Sequence, residues 1–206
     1  MNKGILVVVS GFSGAGKGTI MHRLMEKYDN YALSISMTTR DPRPGEENGR
    51  EYFFRTEDEF SKLIQEDALL EYARYVDHSY GTPRAYVEEH LEAGLDVLLE
   101  IEIQGARQIK KKVPDVVSVF ITPPSMEELK ARLIGRGTES LEVINSRLMR
   151  AKQEAEGIEE YDYILINDEL EDCVDCLHQI IQSEHQKAIR NAELIQKIHR
   201  EAEELL

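Results

Sequence analysis

Cysteine is scarce in this chain of 206 residues, which contains only two. Cys173 and Cys176 have the C-x-x-C spacing of redox and zinc sites. They fall one turn apart within a predicted helix, however, and no second Cys or His pair is present to complete a zinc site. We therefore predict that both are ordinary helix residues.

The chain also lacks any apolar run long enough to span a bilayer. Residues 1–3 lead into an apolar strand instead of a signal peptide, and we expect a cytoplasmic protein. Basic residues are fewer than acidic ones: the chain has 25 Lys and Arg and 39 Asp and Glu, which gives a net charge of −14. This charge opposes general binding to nucleic acids or anionic membranes, although it permits a local basic site.

What the chain does have is a glycine-rich loop between a strand and a helix. Residues 5–9 form an unbroken aliphatic run, typical of a strand buried on both faces of a parallel sheet. Gly11, Gly16 and Lys17 then match the pattern G-x-x-x-x-G-K-[S/T], and a helical apolar pattern follows. Glycines let backbone N–H groups turn towards an anion, and the helix N-terminus and the lysine add positive charge. The sequence therefore predicts a phosphate-binding loop.

The last position of this motif differs from the standard pattern. Gly18 replaces the hydroxyl-bearing residue that would contact Mg²⁺, and Thr19 follows one position later. The Gly-Lys-Gly-Thr ending resembles that of nucleoside monophosphate kinases of the adenylate type. We expect the following residues to bind ATP: Gly11, Ser13, Gly14, Ala15, Gly16, Lys17, Gly18 and Thr19.

Strands and helices alternate along most of the chain, which predicts an α/β sandwich with parallel-type crossovers. Residues 96–103 are predicted as a core strand that places Glu100 and Glu102 on one face near its carboxyl end, where open α/β sheets bind ligands. Gly105 is expected to mark the turn after this strand, and residues 80–83 are expected to form another turn.

The C-terminal segment 170–206 contains neither glycine nor proline, and its apolar residues recur at three- and four-residue steps. This pattern predicts one long amphipathic helix whose first part packs on the core. The part beyond about Ser183 either stands off the domain or pairs with a second copy of the chain, as a homodimer, or else it packs back on its own core. The sequence favours neither alternative.

Four arginines lie between positions 40 and 55, beside proline turns. Further motifs follow in a fixed order: SISMTTRDPRPGE at 34–46, NGREYFF at 48–54, LEYA at 70–73, YGT at 80–82, EIEIQG at 100–105, PPS at 123–125, GRGT at 135–138 and INSRL at 144–148. In this order and spacing, the chain resembles the guanylate kinases from its first strand to about Asp168.

The resemblance implies a P-loop NTPase-type three-layer sandwich with a parallel core sheet, an inserted GMP-binding lobe and a helical lid. The implied parts are a core at 1–35, 86–125 and 158–182, a GMP-binding lobe at 36–85, a lid at 126–157 and a C-terminal helical extension at 183–206. The implied reaction is Mg·ATP + GMP → ADP + GDP, with dGMP also accepted and Mg²⁺ bound with the ATP. The GMP-binding lobe and the lid would both close over the bound substrates and exclude water.

The resemblance also implies roles for charged residues, because phosphoryl transfer mainly requires positive charge around phosphate oxygens. Arg40 and Arg43 would hold the GMP phosphate through bidentate hydrogen bonds. Arg136 and Arg147 would close from the lid onto the migrating group. The expected catalytic residues are Lys17, Arg40, Arg136 and Arg147.

Guanine presents two adjacent donors, N1–H and N2–H₂, so a carboxylate such as Glu71 is a suitable partner for its edge. Adenine would place a lone pair against the same carboxylate. Glu102, with Glu100, would orient waters, Mg²⁺ or the guanine edge. The expected GMP-binding residues are Ser36, Arg40, Arg43, Tyr52, Glu71, Tyr80, Thr82 and Glu102.

Two other interpretations of the sequence are a same-fold kinase that acts on a phosphorylated sugar and a non-catalytic guanylate-kinase-like interaction module. Ser36, Glu71 and Thr82, which would contact a base, argue against the sugar kinase. Lys17 and the arginines argue against the module, because such modules typically lack them.

Overall fold

The computed structural model of the chain describes residues 3–75, 77–135 and 140–205, apart from the side chain of Leu141. The strands are β1 (Leu6–Gly11), β2 (Tyr31–Leu33), β3 (Met37–Thr38), β4 (Phe53–Phe54), β5 (Leu69–Tyr75), β6 (His78–Pro83), β7 (Asp96–Glu100), β8 (Val117–Thr122) and β9 (Tyr163–Ile166). The helices are α1 (Lys17–Lys27), α2 (Glu57–Gln65), α3 (Arg84–Glu92), α4 (Ile103–Lys112), α5 (Met126–Gly135), α6 (Leu141–Ala155), α7 (Leu170–His185) and α8 (Ala192–Glu204). Within these ranges, no helix has the length and apolar character that crossing a membrane requires.

The core sheet has the strand order β2-β7-β1-β8-β9, and its neighbouring strands are parallel. Alternate residues of β1 face opposite layers. Val7 and Val9 share a cluster with residues of α1 and α7, whereas Leu6 and Val8 share one with residues of α3 and α4. Because helices cover both faces, β1 is apolar at successive positions. The predicted α/β sandwich with a parallel core sheet is confirmed.

A second sheet, with the order β4-β3-β6-β5, lies between β2 and α3 in the chain. Its helix α2 begins with a capping box, in which the Thr56 hydroxyl accepts from the Glu59 N–H and the Glu59 carboxylate accepts from the Thr56 N–H. The side chain of Gln108 in α4 bonds both backbone groups of Tyr72 in β5, at 3.2 and 2.8 Å. A core helix thus satisfies this edge of the second sheet as a neighbouring strand would.

The expected turn at residues 80–83 is wrong, because these residues belong to strand β6. Glu71 pairs with Thr82, and Tyr72 pairs with Gly81, in antiparallel register. A Cβ on Gly81 would lie 3.0 Å from the Glu71 carbonyl oxygen and 3.1 Å from the Phe60 ring. The glycine therefore permits close packing within the sheet and does not reverse the chain.

The expected strand at 96–103 is too long, because β7 ends at Glu100. The Ser10 hydroxyl donates to the Ile101 carbonyl at 2.6 Å, at the point where the chain leaves the sheet. Glu102 is the N-cap residue of α4 and does not share a strand face with Glu100. The expected turn at Gly105 is also wrong, since this glycine lies in the first turn of α4.

The single long helix expected at 170–206 is also wrong. Helix α7 ends at His185, a 3₁₀ turn occupies Ala188–Arg190, and α8 follows. The side-chain amide of Asn191 donates to the carbonyls of His185 and Lys187, at 2.8 and 2.9 Å, which satisfies carbonyl groups at the end of the first helix. As predicted, α7 packs on the core, and both cysteines lie within it. No described residue of α8 is buried.

Candidate active site

The glycine-rich loop links β1 to α1 at the carboxyl edge of the core sheet. Gly14 and Gly16 have φ angles of 96° and 91°, a conformation that favours glycine. The Lys17 ammonium donates to the carbonyls of Gly11 and Phe12 at 2.8 and 3.3 Å. The loop therefore curls around its own lysine at the N-terminus of α1, a geometry that suits an anion.

Asn167, which sequence analysis did not select, supports this loop from β9. Its side-chain amide is buried and donates to the Ala15 carbonyl at 2.8 Å. A Cβ on Gly16 would lie 2.5 Å from the same nitrogen, so glycine is required where the loop crosses Asn167. A polar residue immediately after a core strand was the only signal in the sequence.

The lid segment reaches the loop through Arg147 on α6. The Arg147 guanidinium donates to the Ser13 hydroxyl at 2.6 Å. Ile144 and Ala151 on the same helix are buried in the core. Arg136, the second arginine expected to act from the lid, lies outside the described residues.

Glu100 extends from the end of β7 towards the start of α1. A Cβ on Gly18 would lie 3.9 Å from Glu100 Oε2, so the carboxylate approaches the position that a hydroxyl-bearing side chain would occupy in the standard motif. Glu100 is exposed at its surface, but desolvation by the surrounding protein atoms raises its pKa, and the Lys17 charge opposes this rise. Thr19 is exposed beside this position.

The expected phosphate-binding residues meet on the second sheet. The Arg40 guanidinium lies 5.4 Å from the Tyr52 ring centroid, and the Tyr52 and Tyr80 centroids are 6.1 Å apart. Arg40 donates to both carboxylate oxygens of Glu46, at 3.0 and 2.9 Å. Burial alone would lower the pKa of Arg40, but the hydrogen bonds and charge of Glu46 outweigh it and raise the pKa.

Glu46 also organises the loop that carries Arg43. Its carboxylate accepts from the Arg43 backbone N–H at 2.8 Å, while the Arg43 side chain is exposed. The Arg43 N–H and the Arg40 guanidinium together hold the pKa of Glu46 below its usual value. Glu46 falls within the motif at 34–46, although no role for it was predicted from the sequence. In this structure it is the charged partner of the Arg40 guanidinium.

Glu71 and Thr82 form a buried pair on adjacent strands of the second sheet. The Thr82 hydroxyl donates to Glu71 Oε1 at 2.7 Å, and Glu71 is only 5% exposed. Burial raises the pKa of Glu71, against the opposing hydrogen bonds from Thr82. Met37 pairs with Gly81, which places Ser36 beside Thr82 along the same ladder. The buried carboxylate thus has one hydroxyl donor in Thr82, with Ser36 next along the ladder.

Glu102 has a different partner from Glu71. It is exposed at the start of α4, where its carboxylate accepts from Arg150 at 2.6 Å. Gly105, by contrast, contacts Glu71 directly, because a Cβ there would lie 2.8 Å from Glu71 Oε2. The site therefore combines a phosphate loop on one sheet with a guanidinium and a buried carboxylate on the other. This arrangement suits a nucleotide donor and a nucleotide acceptor.

Comparisons with known proteins agree with this geometry. The guanylate kinase family model matches residues 3–184. The chain is 52% identical over 188 residues to the guanylate kinase of Lactococcus lactis subsp. lactis, covering 91% of this chain and 92% of that protein. It is 52% identical to the enzyme of Oceanobacillus iheyensis, with 95% of each chain covered. The crystal structure of guanylate kinase from Anaplasma phagocytophilum aligns with a TM-score of 0.73 and 34% identity, covering 92% of this chain and 90% of that one. The chain belongs to the guanylate kinase family.

Proposed function

We propose that this protein transfers the γ-phosphoryl group of ATP to GMP, forming ADP and GDP, and that it also accepts dGMP. The observation that carries the proposal is the buried Glu71–Thr82 pair on the small sheet whose strand β3 leads directly into Arg40. A carboxylate with two acceptor oxygens matches the two donors of guanine, and the guanidinium matches a monophosphate. The family and its relatives support the same reaction.

The donor nucleotide would bind at the glycine-rich loop. Lys17 now donates to two loop carbonyls, and phosphate oxygens of ATP would replace them as its partners. Arg147 would move from Ser13 onto the transferred group, which lies against the loop. These contacts stabilise charge that develops in the transition state, and phosphoryl transfer requires little other chemistry from the protein.

The acceptor would bind between Arg40 and Glu71. The GMP phosphate would displace the Glu46 carboxylate from Arg40, with Arg43, Tyr52 and Tyr80 completing its contacts. Removing GMP would let Glu46 return, so the arginine keeps a charged partner in both states. The Thr82 hydroxyl would keep Glu71 oriented while the guanine edge donates to it.

Mg²⁺ would enter with ATP, and the residues present fit it. The Glu100 carboxylate approaches Gly18 at the start of α1, and oxygen ligands are those that Mg²⁺ prefers. Glu100 would hold the hydrated ion, directly or through water, with Thr19 nearby. The ion would neutralise charge on the phosphate oxygens.

The test is a coupled assay of ADP release with Mg·ATP and, in parallel, GMP, dGMP, AMP, CMP and UMP. We expect turnover with GMP and dGMP alone, and none in the Lys17→Ala variant. Glu71→Gln should reduce kcat/KM for GMP, because an amide presents only one acceptor to two guanine donors. Absence of turnover with every nucleotide, in a folded protein that binds ATP, would refute the proposal.

We also propose that α8 mediates a homodimer in the cytoplasm, where ATP and GMP are available. Leu194 and Ile198 are 54% and 51% exposed on one side of this helix, and burying them against a second copy would remove apolar surface from water. The net charge of −14 disfavours nucleic acids and anionic membranes as alternative partners. Light scattering should give a dimer mass for the full chain and a monomer mass for Ile198→Asp. A monomeric full chain would exclude this role.

A further inference from the structure

Arg150, which has no assigned role, contacts one residue of its own helix and two residues of other elements. From α6, its Nη2 donates to Glu102 Oε2 at 2.6 Å. Its Nε donates to Glu154 Oε1, one helical turn later, at 3.1 Å. Its guanidinium also lies 5.0 Å from the centroid of the Tyr75 ring, within cation–π distance. One side chain therefore connects the lid helix to two other elements.

The two remote partners belong to the elements that form the acceptor site. Glu102 caps α4, the helix that packs Gly105 against the Glu71 carboxylate. Tyr75 ends β5, the strand that carries Glu71. Any movement of β5 relative to α4 would therefore change what Arg150 can contact.

Arg150 also lies on the same side of α6 as the arginine that reaches the phosphate loop. Arg147 and Arg150 are three positions apart, and residues at this spacing neighbour each other on a helix. Arg147 contacts Ser13 at 2.6 Å while Arg150 contacts Glu102 at 2.6 Å. A single position of α6 therefore allows both arginines to make their contacts at the same time.

The surroundings make this cation costly to move. Glu154 Oε2 is buried and accepts no hydrogen bond from any described residue. Burial and the nearby Glu102 raise the pKa of Glu154 to about 7, while Arg150 opposes this rise. Removing the guanidinium would leave two neighbouring carboxylates without their shared partner.

We propose that Arg150 is a positioning residue that couples closure of the lid helix to occupation of the acceptor site. The proposal rests on the proposed function. Bound GMP holds β5 and α4 in the arrangement that presents Tyr75 and Glu102. Arg150 docks on them, and α6 then places Arg147 at the phosphates. Nucleotide binding at the two sites becomes cooperative through this contact.

The coupling can be measured by titrating GMP calorimetrically into the full-length protein, with and without saturating Mg²⁺ and β,γ-methylene ATP. The ratio of the two dissociation constants is the coupling factor. We expect a factor above one in the wild type and a fall of at least fivefold, or to one, in Arg150→Ala. GMP affinity without the analogue should change less than twofold, and kcat should fall more than KM for GMP rises.

Lys152→Ala is the matched control, because it removes one positive charge from an exposed position of the same helix. Its coupling factor should equal that of the wild type. Tyr75→Ala provides a second route to the same loss and does not disturb the Glu102 and Glu154 carboxylates. A wild-type factor of one, an unchanged factor in both Arg150→Ala and Tyr75→Ala, or an equal loss in the control would each overturn the inference. If the inference is overturned but the wild type is active, the proposed kinase function is still supported. An inactive wild type would instead refute the proposed function.

Discussion

Replacing Gly105 with alanine should impair the use of GMP while leaving ATP binding nearly unchanged. The new Cβ would lie 2.8 Å from Glu71 Oε2 and 3.2 Å from its Cδ. Ordinary van der Waals contact begins at 3.4 Å, so the carboxylate must retreat by roughly 0.6 Å. Glu71 is buried and accepts a 2.7 Å hydrogen bond from Thr82, so this retreat strains the bond that orients the carboxylate.

The size of the effect follows from that hydrogen bond. A bond to a charged group contributes about 1.5–3 kcal/mol. At about 1.4 kcal/mol for each factor of ten, its loss corresponds to a roughly 10- to 100-fold lower kcat/KM for GMP. Alanine is favoured over glycine within a helix by about 0.5–1 kcal/mol, which offsets part of the strain in the free protein. Activity should therefore fall further than stability.

The assay compares kcat/KM for GMP, KM for ATP and the thermal unfolding midpoint in the wild type and Gly105→Ala. Lys111→Ala serves as the control, since it changes an exposed residue near the end of the same helix. A GMP specificity constant within twofold of the wild type would refute the reasoning. An equally large rise in the KM for ATP would also refute the reasoning, because the substitution is expected to act on Glu71 and not on the phosphate loop.

Two further predictions concern residues that sequence analysis did not select. Asn167→Ala should raise KM for ATP by about 2- to 10-fold and leave KM for GMP unchanged. The reason is that it removes a hydrogen bond to the loop carbonyl of Ala15, which contributes about 0.5–1.5 kcal/mol. An unchanged KM for ATP would contradict this supporting role. Glu154→Gln should flatten the pH dependence of unfolding. The pKa of Glu154 is raised to about 7 from an ordinary value of 4.5. Between these two pH values the folded state therefore holds a proton that the unfolded state releases. Because of this difference, the free energy of unfolding falls as the pH rises through the window. Chemical unfolding at pH 5 and pH 8 should show a smaller loss in Glu154→Gln than in the wild type, and no such change in the exposed Glu156→Gln.

Local patterns were sufficient to predict the core of the fold. The apolar run of β1, the glycine loop and the helix after it are consecutive in sequence, and each has a characteristic periodicity or composition. The Thr56–Glu59 capping box is likewise a short-range signal, and the structure contains both of its hydrogen bonds. Arg40 and Arg43, for which the family resemblance implies phosphate binding, also lie within one short motif.

Contacts between distant segments could not be predicted in this way. Asn167 supports Ala15 across 152 positions, and Arg147 reaches Ser13 across 134. Nothing near either residue in the sequence identifies its partner. The break between α7 and α8 belongs to the same class, because the apolar spacing continues through it. The side chain of Asn191 ends the first helix by hydrogen bonding to its carbonyl groups.

The two glycines that were predicted to mark turns occupy their positions for a different physical reason. Gly81 lets the neighbouring strand approach, since a Cβ there would lie 3.0 Å from the Glu71 carbonyl. Gly105 lets helix α4 approach the carboxylate of the same residue, at 2.8 Å. A side chain at either position would move Glu71, in the first case through its backbone and in the second through its carboxylate. Both glycines therefore help to set the position of Glu71, although glycines at turns give the same local sequence signal.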